Sequence, residues 1–327
     1  MAAGRPGGRR EQAYYIVLKI PMPGSRKFAV VVGYRHHARN LCQILNQHSA
    51  SWKARFFDTS GYRNLLRAAF ALLRAKALIS FGGPSPHRVL RSLANRLRIP
   101  VFVFWAGSDV VALLERPHDA RILRTKNLKH LAAAPWLVEE LKTVQIPADF
   151  VPAAGVTPPA EPKPFGDTFR VVTYLPQVRA DFYGAQEVYA VARALPDVPF
   201  LVTGSNNGTD PRAPQNVSFS GHLEDVTSVL DASVALLRMP QHDGLSTMVL
   251  EALSRGRYVL WTYEIPGVMV IKALDDVISS LRSLKKHHQA RTLPRNAAGM
   301  NFVATHFREA DVALGFEKQL SAQTSPN

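Results

Sequence analysis

The segment HDGLSTMVLEALSRGRYVLWT (242–262) sets two carboxylates, Asp243 and Glu251, eight residues apart around a glycine and two hydroxyl side chains. Gly244 marks a turn, and Ser246 or Thr247 can cap a helix that starts there. The first backbone N–H groups of such a helix lack partners and carry the positive end of the peptide dipoles, which suits an anion. Asp243 stands at the helix mouth; Glu251, two turns inside, is placed to reach the same ligand. Carboxylates accept hydrogen bonds from vicinal hydroxyls and the helix terminus suits a diphosphate, so the set describes a nucleotide sugar. The same spacing fits a capped amphipathic helix with Glu251 in water.

Other residues offer less. Gly204 ends VPFLVTG (198–204) before the polar loop 205–216, where a missing Cβ either lets the backbone approach a nucleotide or simply makes a turn. Residues 35–39 hold Arg35, His36, His37 and Arg39, which could meet a phosphate or form a solvated helix start. The fourteen aspartates never fall two apart, so there is no Asp-x-Asp pair to carry a metal. Cys42, the one cysteine, can close no intrachain disulfide and favours a reducing compartment.

Such chemistry needs a scaffold that gathers loops in one place. The runs FAVVVG (28–33), ALISFGG (77–83) and IPVFVFWAG (99–107) are apolar, β-rich and contain terminal glycines. Between them, 64–76 and 85–98 repeat apolar residues at three- and four-residue spacing, which predicts helices. A second series follows, with strands over 169–176, 198–204, 217–221, 234–240 and 258–262 and helices over 185–195, 223–233 and 246–256. Segments 268–286 and 296–320 read as amphipathic helices around the basic KKHHQ (285–289). The alternation predicts an α/β chain with parallel, doubly wound sheets, whose ligands sit beyond the carboxyl ends of the strands. A length of 327 residues fits two such domains, and five prolines from Pro152 to Pro164 mark the linker. The expected division is 1–155, a linker over 156–166, a second domain over 167–300, and a C-terminal helix within 301–327 that can pack back on the first domain.

Charge divides the chain the same way. Residues 1–160 carry 24 Lys and Arg against 8 Asp and Glu, while residues 161–327 carry 16 against 17. The first half, at a net +16, suits a polyanion such as an anionic membrane surface or nucleic acid, or is a solvated arginine-rich face. No zinc-finger spacing, RNP-like aromatic motif or KH-type loop accompanies the charge, which counts against nucleic acid. With 46% hydrophobic and 20% charged residues the chain can fill its cores, which excludes a disordered or fibrous protein. No run of about 18 apolar residues is free of charge, and Glu11, Lys19 and prolines interrupt the N-terminal apolar run. Neither a membrane span nor a secretory signal is expected, and the expected location is cytoplasmic, peripheral on the inner face of the cell membrane.

The segment 242–262 resembles the donor-site signature of family four glycosyltransferases, an acidic residue, seven residues, glutamate and then Ala-x-x-x-Gly. Here it reads Asp243, Glu251, Ala252 and Gly256, with Asp in place of the more common first Glu. Upstream, NVSFSGHLEDVTSVLDASVALLRMP (216–240) is similar to the family's stretch before the signature, and YLPQVRADFYG supplies Arg179 at the position of the family's arginine. The resemblance covers most of 169–262. It implies the GT-B fold, two facing Rossmann-like domains with a cleft, and retaining transfer of a hexose from a UDP- or GDP-sugar to a glycan or lipid-linked acceptor. It also implies Glu251 on the ribose hydroxyls, Asp243 on the transferred sugar, and the backbone of Gly244, Leu245, Ser246 and Thr247 at the distal phosphate or sugar. Arg179 would clamp the diphosphate, and the turn at His222 and Leu223 would pass the base.

The departures matter as much. The lysine expected before the next glycine is Tyr183 here, ahead of Gly184, so Arg179 would need a second cation such as Arg238. FWAGSDV (104–110) is similar to an acceptor-side loop commonly written His-Gly-Ser-Asp; Gly107, Ser108 and Asp109 are kept and Ala106 replaces the His. The resemblance thereby puts Asp109 with Asp243 and Arg179 in the catalytic set, and Gly33 at a phosphate-facing turn. LKHLAAAPWLVEELK (128–142) is similar to the family's helix-strand-helix before the hinge, with Trp136 and Leu137 read as core. No metal and no cofactor is expected beyond the nucleotide sugar as co-substrate. Two readings stand beside this one, a GT-B-like sugar-nucleotide epimerase or phosphorylase, and a basic nucleic-acid-binding protein.

Overall fold

A computed structural model describes residues 26–82, 88–125, 128–205 and 210–324. The basic N-terminal stretch, the start of the expected helix 85–98, part of the loop 205–216 and the last three residues lie outside the described residues.

The first sheet contains β1 (Lys27–Val32), β2 (Trp52–Phe56), β3 (Ala77–Phe81), β4 (Val101–Trp105), β5 (Leu128–Ala132) and β6 (Ala148–Phe150), ordered β2-β1-β3-β4-β5-β6. The second contains β7 (Val171–Tyr174), β8 (Phe200–Thr203), β9 (Val217–Gly221), β10 (Ala235–Arg238), β11 (Tyr258–Trp261) and β12 (Val268–Val270), ordered β12-β11-β10-β7-β8-β9. Every pairing is parallel. Parallel strands are covered on both faces, which is why β3 and β4 are unbroken apolar or small-residue runs, buried throughout. The strand order reverses between β1 and β3 and between β7 and β10, the two points where such sheets open a crevice.

Helices 35–48, 108–114 and 135–143 cover one face of the first sheet, joined there by the C-terminal helix Glu309–Thr324 through Val312, Phe316 and Leu320. Glu317 fixes that helix by accepting from the Ser49 hydroxyl (2.5 Å) and the Ser51 N–H (2.8 Å). Helices 62–72 and 88–96 cover the opposite face. In the second domain, helices 185–194 and 274–289 pack on one face and 247–254 and 297–306 on the other.

Four expected elements differ. Segment 268–286 begins as the short edge strand β12, and its helix, Leu274–Gln289, starts only after Asp276 has accepted the N–H groups of Lys272 and Ala273. Segment 296–320 breaks at Phe307 and Arg308, where the chain crosses back to the first domain and the Val156 N–H donates to the Phe307 carbonyl (2.8 Å). Helix 223–233 shortens to Thr227–Asp231, because Asp225 accepts the Thr227 N–H (2.8 Å) and ends the preceding turn. Segment 128–142 is strand β5 followed by helix Pro135–Thr143.

Candidate active site

The two switch points face each other. On the first domain, β1 runs out at Gly33 and Tyr34, and β4 at Ala106, Gly107 and Ser108. Opposite them, β7 leads to the turn Gln177–Arg179, and β10 ends in Arg238 and leads to Asp243. Between these loops lies a cleft of about 930 Å³, lined by Tyr34, Ser108 and Glu115 from one side and Arg179, Phe182 and His242 from the other.

Asp243 is held at three points. Its Oδ2 accepts from Arg238 Nη2 (2.5 Å) and Nε (3.1 Å); its N–H donates to the Tyr263 hydroxyl (3.1 Å); its carbonyl accepts from Trp136 Nε1 (2.8 Å). Oδ1 accepts nothing among the described residues and is the oxygen left for a ligand. Arg238 is buried, and its guanidinium also lies 5.7 Å from the Tyr183 ring and 5.8 Å from that of Tyr174. Arg238 thus reaches from β10 to the side of Tyr183, the residue before Gly184. Arg179 differs: it is exposed, its guanidinium sits 4.0 Å over the Phe182 ring, and among the described residues it has no carboxylate partner.

The helix Thr247–Ser254 has Ser246 as its N-cap with no side-chain cap bond; the Val249 N–H donates to the Ser246 carbonyl (3.1 Å), and the N–H groups of Thr247 and Met248 have no partner among the described residues. Leu245 packs against the cores of both domains. Glu251 is half-buried, hydrogen-bonds to nothing among the described residues, and burial pushes its carboxyl up to about 7, with Arg255 opposing the shift. An ionised carboxylate is the form that accepts two hydroxyls, so affinity for a diol-bearing ligand at Glu251 is expected to rise from about pH 6 to about pH 8 and to lose that dependence in Glu251→Gln. Stability should move the other way. An unfolded glutamate ionises near 4.5, the folded one near 7, so the folded state is progressively disfavoured as pH rises between those values. The Gln variant should thus melt a few degrees higher than the parent at about pH 8. Isothermal titration and thermal melts across that range read both slopes.

The domains meet backbone to backbone beside Asp243. A Cβ on Gly244 would lie 1.9 Å from the Ala106 carbonyl oxygen, and one on Gly107 would lie 2.8 Å from the Gly244 nitrogen. Gly107 also has φ +141°, a conformation that side chains disfavour. Next to this seam His242 Nε2 pairs with Glu140 (2.9 Å), and Trp136 stacks on Tyr263 with ring centroids 4.4 Å apart.

Other expected residues fall differently. Asp109 is buried and accepts the N–H groups of Ala106, Gly107 and Val110 at 2.8–3.1 Å, so it shapes the loop instead of offering a carboxylate to a substrate. Burial pushes its carboxyl up and those N–H groups pull it back. At Gly33 a Cβ would meet the Phe81 carbonyl oxygen at 2.0 Å, so the close approach of β1 and β3 accounts for that glycine. Gly204 makes room for the Tyr174 ring, which a Cβ would meet at 2.4 Å. His222, exposed, and Leu223, half-buried, follow β9 at the same end of the sheet. In the basic cluster, Arg35 is paired with Asp58 (2.7 Å) and burial lowers His37 to about 4, while Arg39 is exposed and lies over the Phe56 ring (5.7 Å). A second cavity, about 640 Å³, lies along the linker at Phe165, His288 and Arg295, and shares no residue with the cleft. Among the described residues no group of three or more His, Cys, Asp or Glu is placed to hold a metal ion.

Leu137 is core, as its sequence context suggests, but Trp136 is a cross-domain contact. Tyr263 lies outside 128–142 and 242–262, and nothing in either segment signalled that Trp136, Glu140 and His242 meet; Trp136 and Glu140 lie over 100 residues from the groups they touch. Only His242, beside Asp243 in the signature, was within reach of sequence reasoning.

No family model matches the chain, and no curated protein matches its sequence. Solved structures match its architecture. Sucrose-phosphate synthase from Thermosynechococcus elongatus aligns over 91% of this chain and 99% of its own, with a TM-score of 0.67 and 12% identity. The pneumococcal O-GlcNAc transferase GtfA, in complex with UDP and GlcNAc, aligns over 81% of this chain with a TM-score of 0.59 and 11% identity. The UDP-GlcNAc 2-epimerase from Neisseria meningitidis, bound to UDP-GlcNAc, aligns over 90% of this chain and all of its own at 0.50 and 14%. The chain has the GT-B fold, and it spans 61% of the length of GtfA.

Proposed function

We propose that this chain is a glycosyltransferase that moves a hexose from a UDP- or GDP-linked sugar to a glycan or lipid-linked acceptor, retaining the anomeric configuration and using no metal. The observation that carries the reading is a cleft at the carboxyl ends of both sheets that is lined by Arg179, which has no carboxylate partner among the described residues, and by His242. His242 is next to Asp243 and the entry of helix Thr247–Ser254, on which Glu251 is half-buried and without a hydrogen-bond partner among those residues. As the bond from C1 to the diphosphate oxygen breaks, negative charge grows on the departing diphosphate. Arg179 and the N–H groups from Gly244 to Thr247 neutralise it, with Arg238 adding positive potential from behind Asp243. Asp243 Oδ1 orients the sugar, and Glu251 holds the ribose. Tyr34 and Ser108 form the wall from which an acceptor hydroxyl approaches C1, its oxygen forming the new bond as the diphosphate leaves and its proton passing to the departing diphosphate oxygen. The excess positive charge of the first half fits an acceptor presented at an anionic membrane surface, on the cytoplasmic face.

The solved structures supporting this reading include two sugar-transferring enzymes and one epimerase. Epimerisation is therefore the second reading, and it needs no acceptor. A thermal-shift panel of UDP-, GDP-, ADP- and CMP-sugars should show stabilisation by one nucleotide class, lost in Glu251→Ala and Arg179→Ala. Product analysis with that donor should give free nucleoside diphosphate and a glycosylated acceptor, undiminished by EDTA. An altered sugar still attached to its nucleotide would establish the epimerase, and loss of activity in EDTA with recovery in Mg²⁺ would overturn the metal-free step.

A further inference from the structure

Helices Tyr62–Leu72 and Arg88–Arg96 lie side by side on the face of the first sheet away from the C-terminal helix. Their inner residues are ordinary core: Ala68, Leu72, Leu90 and Ala94 pack with Val30, Val32, Leu78 and Val101. Their outer residues are not an ordinary surface. Tyr62 is 74% exposed, Phe70 69%, and Leu73 and Val89 62% each. Leu66 and Leu97 add to the same strip. Leu73, the C-cap, keeps helical dihedrals, so the first helix presents Tyr62, Leu66, Phe70 and Leu73 together. At about 100° per residue these four fall within an arc of about 80°, and Arg63, Arg67 and Arg74 occupy roughly the next 40°. Exposed apolar strips of this kind in water mark a surface that something covers.

The charge around the strip says what. From Thr59 to Ser108 the chain has eight Lys and Arg and no Asp or Glu. Nucleic acid would use the arginines but gives Phe70, Leu73 and Tyr62 no reason to stand in water. A second copy of the chain would bring Arg63, Arg67 and Arg74 against themselves, with no acidic residue in the segment to offset them. Anionic lipid answers both halves, phosphates for the arginines and acyl chains for the apolar strip.

We infer that this two-helix face docks the protein on a bilayer containing anionic lipids, with Tyr62, Leu66, Phe70 and Leu73 entering the headgroup boundary and Arg63, Arg67 and Arg74 on the phosphates. The inference names the surface for the membrane-presented acceptor of the proposed function, and its geometry stands without that function. Helix 62–72 begins after the carboxyl end of β2, the end of the sheet at which the cleft opens, so the Tyr62 end of the strip borders the side where an acceptor enters.

Flotation of the full chain tests it, with vesicles of phosphatidylcholine alone or with added phosphatidylglycerol. The parent should float with the anionic vesicles and remain below with the neutral ones. Reversing Arg63, Arg67 and Arg74 to Glu should weaken partitioning by roughly 100-fold, and Phe70→Ser with Leu73→Ser should weaken it at least tenfold, with melting temperature and the donor-induced thermal shift unchanged in both. A parent indifferent to lipid charge, or variants that float like the parent, overturns the inference. So does a dimer in light scattering that the Phe70 and Leu73 changes dissolve, or nucleic-acid binding that the Arg changes abolish. If the donor-induced shift is missing from the parent while flotation holds, the transferase reading fails and the docking surface stands.

Discussion

Arg179→Ala is expected to lower kcat/KM for sugar transfer by about 10²–10³-fold while the fold stays intact. The guanidinium rests on Phe182 at an exposed turn and pairs with no carboxylate among the described residues, so its removal takes charge from the ligand and orphans nothing in the protein. Melting temperature should then move by no more than about 1–2 °C. Arg179→Lys should recover only part of the activity, because an ammonium keeps the charge but not the two-pronged geometry. The comparison variant is Arg238→Ala, which leaves Asp243 without its buried partner and should destabilise the fold by about 3–5 kcal/mol. Initial rates with saturating acceptor, run beside thermal melts of all three, separate the two arginines. An Arg179→Ala enzyme with more than half the parent's kcat/KM would remove the diphosphate clamp from this site.

Gly244→Ala is expected to slow turnover by about 100-fold while the donor-induced thermal shift survives. The added methyl carbon would lie 1.9 Å from the Ala106 carbonyl oxygen, and ordinary contact requires the backbones to part by more than about 1 Å. The N–H groups of Ser246 and Thr247 proposed for the phosphates stay with the second domain, so donor affinity is expected to persist, while the wall at Tyr34 and Ser108 moves away from the proposed sugar position. Gly107→Ala should behave alike and also lose stability, since its φ of +141° strains any side chain. Single-turnover rates measured against donor binding decide the matter; a Gly244→Ala enzyme that turns over normally would show that contact between the domains is not part of catalysis.

What the sequence revealed follows from where each element sits. Central strands such as β3 and β4, and β1 from Ala29 onward, are buried on both faces and read as unbroken apolar or small-residue runs, and the alternation with helices was legible from them. The edge strands were harder. In β2, WKARF, charged residues alternate with buried ones at one margin of the sheet, and β6 and β12 are three residues long at other margins. None has the pattern of a strand covered on both sides. The site divides similarly. Asp243, Gly244 and Glu251 fall within one helix and its entry, so local spacing exposed them. Trp136 and Glu140 reach the site only because two domains face each other, and no local pattern encodes that contact. Asp109 shows the reverse limit: its motif was readable, but the way the loop turns its carboxylate onto Ala106 and Gly107 was not.

The chain passes between its halves twice, at Gly155–Val156 and at Phe307–Glu309, and the two passages touch. The Val156 N–H donates to the Phe307 carbonyl, and Gly155 comes so close to Glu309 that a Cβ would lie 2.6 Å from its Cα. Two connections clasped at one spot resist torsion better than a lone tether, which leaves a swing about that pivot as the easy movement. The two halves would then behave as a pair of jaws, with travel growing in proportion to distance from the clasp. If the docking face is held still on lipid, the second half, which carries the proposed nucleotide site, is the one that moves, and each opening would occur against a stationary anvil.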